Sequence, residues 1–349
     1  MKKLNRILLA VFASALFLVS CSSDDNGNEN VESLGAYENG IFVLNEGSTT
    51  VSTSSITFIS NSGAVEQDVY KNVNPNGVAL GTYLQSMFFD DTRAYIISGS
   101  ANKITVVDRY SFKFIATIAT DFQNPRYGAI SNGKAFVTNS GSAWNLGDDD
   151  FLTVINLSDF TTSKLDINTF TERITEENGK IYVGNGYSGF GSTVTVLNPA
   201  SNVVEKVIEL GFSPNSFDEE NGILYVLGSD KFAKINLSSN ALIGESVVVS
   251  PTFEAKNITI ENNKIYYTID KSVYAMNLSA TTAPSAPLFS YNSTSLYGAM
   301  YGFAVENDKI YIADGGDFSA PSKIFIYSQS GTLLNTINVG IGPNGFYFN

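Results

Sequence analysis

Apolar residues in this chain come in short bursts rather than at helical spacing. The most regular burst is a triplet: a small or aliphatic residue, an aromatic, then a β-branched residue or Tyr. It occurs as Ile41-Phe42-Val43, Ala94-Tyr95-Ile96, Ala135-Phe136-Val137, Ile181-Tyr182-Val183, Leu224-Tyr225-Val226, Ile265-Tyr266-Tyr267 and Ile310-Tyr311-Ile312. The aromatics stand 53, 41, 46, 43, 41 and 45 residues apart. Turn formers precede the copies, as Asn39-Gly40, Asp90-Asp91, Asn132-Gly133, Asn178-Gly179, Asn221-Gly222, Asn262-Asn263 and Asn307-Asp308. Such pairs tolerate positive φ and suit two-residue hairpins. A second burst follows each triplet, for example Ile104 to Val107 or Ile324 to Tyr327. It ends at Asp108, Asn156, Asn198, Asn236 or Asn277 in five repeats, side chains able to cap the next turn. A third strand comes after that turn (Phe114 to Ile118, Val203 to Leu210), and a fourth precedes the next hairpin (Tyr127 to Ile130).

Four short antiparallel strands every 41–53 residues predict a β-propeller. A β-helix would have shorter repeats and fewer hairpin turns. The first triplet reads as the second strand of a blade, and the segment 343–349 reads as a first strand with no partner after it. Pairing the two would close the ring. The expected fold is therefore all-β, a seven-bladed propeller of four-stranded antiparallel blades, in one domain over 37–349 and with no stable helix.

Composition narrows the chemistry. The 349 residues include no His and one Cys. A Ser–His–Asp triad, a Cys–His pair, an intramolecular disulfide and His- or Cys₄-ligated metals are therefore excluded. Gly, Tyr and Phe number 29, 18 and 24 while charged residues are only 16%, which suits a turn-rich β protein better than a helix bundle. A net charge of −13 opposes nucleic-acid binding.

The N-terminus carries its own pattern. Lys2, Lys3 and Arg6 precede an apolar run from Ile7 to Val19, too short to span a bilayer comfortably. The run ends in Leu18-Val19-Ser20-Cys21, which resembles a bacterial lipobox. By that resemblance residues 1–20 are a signal peptide and Cys21 is the lipid anchor, with 21–36 a disordered acidic tether. Removing 1–20 would take the charge from −13 to −16. Ser22-Ser23-Asp24-Asp25 resembles the surface-export signal of Bacteroidetes lipoproteins, which implies an outer-membrane, cell-surface location.

The segments Asn132-Gly133-Lys134 with Val137-Thr138-Asn139-Ser140-Gly141, Lys180 to Asn185 and Lys309 to Asp314 resemble the YVTN or YncE-like propellers. Taken with the lipobox and export signal, the chain is similar to Bacteroidetes surface propellers that include a cobalamin-capturing (BtuG) type. That resemblance implies non-enzymatic capture of a nutrient such as cobalamin for a TonB-dependent transporter, with no cofactor of its own. Lacking His, the protein would hold a corrin by shape and amide hydrogen bonds. A protein- or glycan-binding scaffold and, behind it, a metal-dependent lactonase-like enzyme are the alternatives. A monomer is expected.

Binding residues are expected on the face that collects the loops between strands two and three and the loops between blades. From the first group the candidates are Asn45, Asn139, Trp144, Asn185, Tyr187, Asp270, Asp314 and Phe318. From the second they are Arg126, Tyr127, Arg173, Asn215, Tyr297 and Tyr301. Trp144 offers a flat apolar platform, or it covers a blade edge. Arg126 and Arg173 suit a ligand phosphate or carboxamide, or a salt bridge between blades. Asp148 to Asp150 and Asp314 to Asp317 read as solvated turns rather than Ca²⁺ ligands. Asn185 to Gly191 reads as a mobile loop with Tyr187 and Phe190 exposed. The seven triplet aromatics read as packing between blades.

Overall fold

The computed structural model describes residues 33–48, 53–142, 145, 147–252 and 254–349. The proposed signal peptide, Cys21 and Trp144 lie outside the described residues. Within them the fold is a seven-bladed propeller, with each blade an antiparallel sheet in sequence order. Blade 1 alone is composite. Its first strand is Pro343–Phe348, which pairs with Gly40–Asn45 in the register Ile41↔Phe348 to Leu44↔Gly345. Blades 2 to 7 begin with Leu84–Phe89, Pro125–Ser131, Ile174–Glu177, Pro214–Glu220, Ala255–Glu261 and Gly302–Glu306. These first strands touch their neighbours all the way round and so line the central channel.

The triplets explain themselves once the ring is built. A second strand is covered on both faces, so both phases of its alternation must be apolar. In Gly40–Asn45, Phe42 and Leu44 pack with Leu84, Met87 and Ile96 of blade 2. Ile41 and Val43 pack instead with Tyr311, Ala313 and Ile324 of blade 7. The same division recurs, giving one apolar cluster for each of the seven blade interfaces. All seven triplet aromatics are buried.

Five of the seven turn pairs adopt positive φ at both residues, as at Asn132 (52°) and Gly133 (70°). This is the conformation that two-residue hairpins require. Asp90-Asp91 is a different turn: an Asp90 carboxylate oxygen accepts the N–H groups of Thr92 and Arg93 at 2.8 and 2.6 Å. Asn39-Gly40 joins no hairpin, because the first strand of its blade lies at the far end of the chain. The caps after strand three are present at Asp108, Asn156, Asn198 and Asn236.

Two expectations are corrected. A short helix, Val69–Val73, links blades 1 and 2. Burial of Val69 and Tyr70 in that interface, rather than helix propensity, holds it. Asn185 to Gly191 is not a loop but the tip of a hairpin between Lys180–Tyr187 and Phe190–Asn198, turning at Ser188 and Gly189.

Candidate functional site

A cavity of about 760 Å³ opens over the channel, on the face that holds the loops between strands two and three and the interblade loops. All seven blades supply wall residues. Local geometry explains how strand residues reach it. Registers skip Gln85 in blade 2, Arg126 and Tyr127 in blade 3, Asn215 in blade 5 and Asn344 in blade 1. A bulge at the start of a strand re-aims the extra side chain, here toward the channel mouth.

The rim is tied by polar contacts across every blade junction. Going round from blade 7, the Tyr301 hydroxyl donates to Glu46 Oε2. Asn344 Nδ2 donates to the Leu84 carbonyl (2.8 Å). Arg126 Nη1 donates to Gln85 Oε1, and the Ser86 hydroxyl to the Arg126 carbonyl (2.6 Å). Arg126 then forms an ion pair with Glu172 at 2.8 Å. Arg173 Nε donates to the Asn215 carbonyl (3.0 Å), and Asn215 Nδ2 to that of Ala255 (2.9 Å). Asn257 Nδ2 reaches the Met300 carbonyl at 3.4 Å. Tyr127 lies under both arginines, its ring 4.1 Å from the Arg173 guanidinium carbon and 5.9 Å from that of Arg126.

Burial sets the charge states. Glu46 is 6% exposed, and desolvation raises its pKa to about 7 although Tyr301, Asn344 and Arg126 pull it down. Burial, then the Glu46 charge, raises the Tyr83 hydroxyl and pushes the Tyr301 hydroxyl well above the usual phenol range. Burial works against the Arg126 charge, but Glu172 more than offsets this and raises its pKa. Burial lowers Lys256, with Asp270 and Glu254 opposing.

Six sequence candidates meet at this mouth: Arg126, Tyr127, Arg173, Tyr187, Asn215 and Tyr301. Phe318 stands behind it, edge-on to Tyr301 with centroids 4.8 Å apart. Asn45, Asn139 and Asn185 are fully buried. Each ties strand two to a Thr of strand three: Asn45 to Thr57 (3.1 Å), Asn139 to Thr153 (2.9 Å) and Asn185 to Thr195 (2.7 Å). Tyr297 is 85% exposed and lines, with Asp314, a separate cavity of about 990 Å³. Asp270 is an exposed turn residue at φ 48°.

The reading of Asp148 to Asp150 as a solvated turn holds only for Asp148. Asp149 Oδ2 accepts from the Ser142 N–H and from Asn145 Nδ2, both at 2.9 Å. Asp150 is buried and accepts the Thr171 N–H at 3.0 Å, and desolvation raises its pKa to about 6. It borders a smaller cavity of about 260 Å³, which shares Tyr187 and Ser188 with the mouth and is also lined by Phe190. Among the described residues, no three Asp or Glu side chains converge as a metal-binding group.

Sequence reasoning did not single out Glu46, Glu172 and Asn344, although they lie in the loops it named. Tyr83 also lies in an interblade loop, whereas Gln85 and Lys256 are strand residues. The available signal was positional, since each stands at or just before the start of a first strand or just after a second.

Fold and site together define a β-propeller with a polar cavity over its channel. Residues 39–349 match the DUF5074 family, a domain of unknown function, and the chain belongs to that family. No curated protein matches it in sequence. Among solved structures it is similar to a quinoprotein alcohol dehydrogenase-like protein from Bacteroides thetaiotaomicron. That match has 16% identity and a TM-score of 0.65, covering 89% of this chain and 78% of that one. A functionally unknown protein from Desulfotomaculum acetoxidans is also similar, with 13% identity, a TM-score of 0.64 and coverage of 89% and 98%. BamB from Moraxella catarrhalis gives 12%, 0.53, and 83% and 84%. At these identities the likeness is one of fold.

Proposed function

We propose that this protein is a non-enzymatic, lipid-anchored binding propeller that takes a small molecule at the channel mouth. The supporting observation is the cavity of about 760 Å³ whose rim is tied at all seven blade junctions. A rim held in this way loses little conformational entropy on binding, so its contacts go into affinity. The lipobox at Cys21 supports anchoring in the outer membrane, and the acidic segment after it supports surface display. Resemblance to cobalamin-capturing propellers makes cobalamin the first ligand to try and a TonB-dependent transporter the recipient. Titration calorimetry with cyanocobalamin tests this. Saturable heat is expected, and heat indistinguishable from buffer dilution at micromolar protein removes cobalamin. Exposed Leu296 and Tyr297, at 87% and 85%, favour a second reading in which a protein or glycan docks beside the mouth.

A further inference from the structure

The three cations at the mouth are not equivalent. Arg126 is matched by Glu172 at 2.8 Å. Arg173 is not matched: its Nε donates to the Asn215 carbonyl and its plane lies on Tyr127. Its two terminal amino groups have no partner among the described residues. The Lys256 ammonium likewise has neither ion pair nor hydrogen bond among them, although it stands on the cavity wall. Asp270 and Glu254 act on it electrostatically without forming an ion pair. Arg173 and Lys256 come from blades 4 and 6 and flank Asn215 of blade 5. One arc of three blades thus carries two cations with no ion-pair partner among the described residues, in a chain whose net charge is −13.

The opposite wall differs in kind. There Glu46 is tied to Tyr301, and Asn344 leaves its buried Oδ1 without a partner. That wall offers hydroxyls and aromatic edges. A half-buried guanidinium stacked on an aromatic ring keeps its outer edge free for paired hydrogen bonds to a carboxylate or phosphate. An ammonium two blades further on, beyond Asn215, adds a point charge for the same group.

Accepting the channel mouth as the ligand site, we infer that its ligand is an organic anion. The carboxylate or phosphate sits on the arc Arg173–Asn215–Lys256, and the uncharged part lies against Tyr301 and Asn344. Citrate and pyrophosphate separate the two sources of negative oxygen. Each is titrated by calorimetry into the wild-type protein and into the double variant Arg173→Gln/Lys256→Gln, with cyanocobalamin as a third titrant. An unchanged melting temperature without ligand shows that the variant is folded. At least one anion is expected to bind wild type, and the variant to bind it at least tenfold more weakly. Equal anion binding by the two proteins overturns the inference, as does failure of both anions to bind wild type. If cyanocobalamin binds both proteins equally and neither anion binds, the mouth remains a ligand site and its anionic character is refuted. If an anion binds wild type and is lost in the variant while cyanocobalamin gives no heat, the anionic assignment stands and cobalamin falls.

Discussion

Replacing Glu46 with Gln should change how stability depends on pH. The carboxyl is 6% exposed, and burial moves its pKa from 4.5 to about 7. The folded protein therefore binds this proton more tightly than the unfolded chain does. Its contribution to stability is fully present below pH 4.5 and is lost as the pH rises through about 7. At about 1.4 kcal/mol per tenfold change in proton affinity, ionising Glu46 in the folded protein costs about 3 kcal/mol in total. Roughly 2 to 3 kcal/mol of that loss falls between about pH 5 and about pH 8. Gln keeps an oxygen to accept the Tyr301 hydroxyl and cannot ionise. Asp150 and Asp218, both raised to about 6 by burial, titrate with the same sign in both proteins, so the difference between them isolates Glu46. Urea unfolding followed by tryptophan-independent far-UV circular dichroism gives the two stabilities. The variant should match wild type near pH 5 and exceed it by about 2 to 3 kcal/mol near pH 8. Parallel loss of stability in the two proteins across that range would refute the reasoning.

Two further outcomes follow from packing. Phe346→Ala removes a ring that is 9% exposed and lies 5.6 Å from Tyr311 in the closing strand, so it should destabilise by about 3 to 5 kcal/mol; an unchanged urea midpoint would show that the composite blade does not hold the ring. Arg126→Met leaves Glu172 buried without its partner and should cost about 3 to 5 kcal/mol, with much of the loss regained in Arg126→Met/Glu172→Gln. Equal stability of the single and double variants would place the cost elsewhere.

The fold was legible because a second strand covered on both faces must be apolar in both phases. Such strands read as triplets like Ile41-Phe42-Val43, set off by Asn-Gly turns that recur with the blade. The site was legible only in part. Asn45, Asn139 and Asn185 lie on the face of the mouth, but they point across their own blade to Thr57, Thr153 and Thr195. The Asn-to-Thr pairing 10 to 14 residues apart was the sign that they are clips. Glu46, Glu172 and Lys256 were harder to find. Each blade gives the mouth a few residues, from two in blades 2, 3 and 6 to six in blade 4, and a bulge decides which of them turns inward. In an acidic chain nothing about a single Glu marks it as buried.

Ring closure has a consequence for when the protein becomes competent to bind. Val43 has no first-strand partner until Phe346, about 300 residues later, has been made, and a closing contact between segments so distant in sequence is slow to form. Glu46 follows one of those paired strands and Asn344 belongs to the other, and both face the cavity. The mouth therefore does not exist in a chain whose ring is still open. A ligand seated there also binds only the locked form, and its affinity adds directly to the free energy that keeps the ring shut. Occupancy of the mouth is thus a reporter of closure.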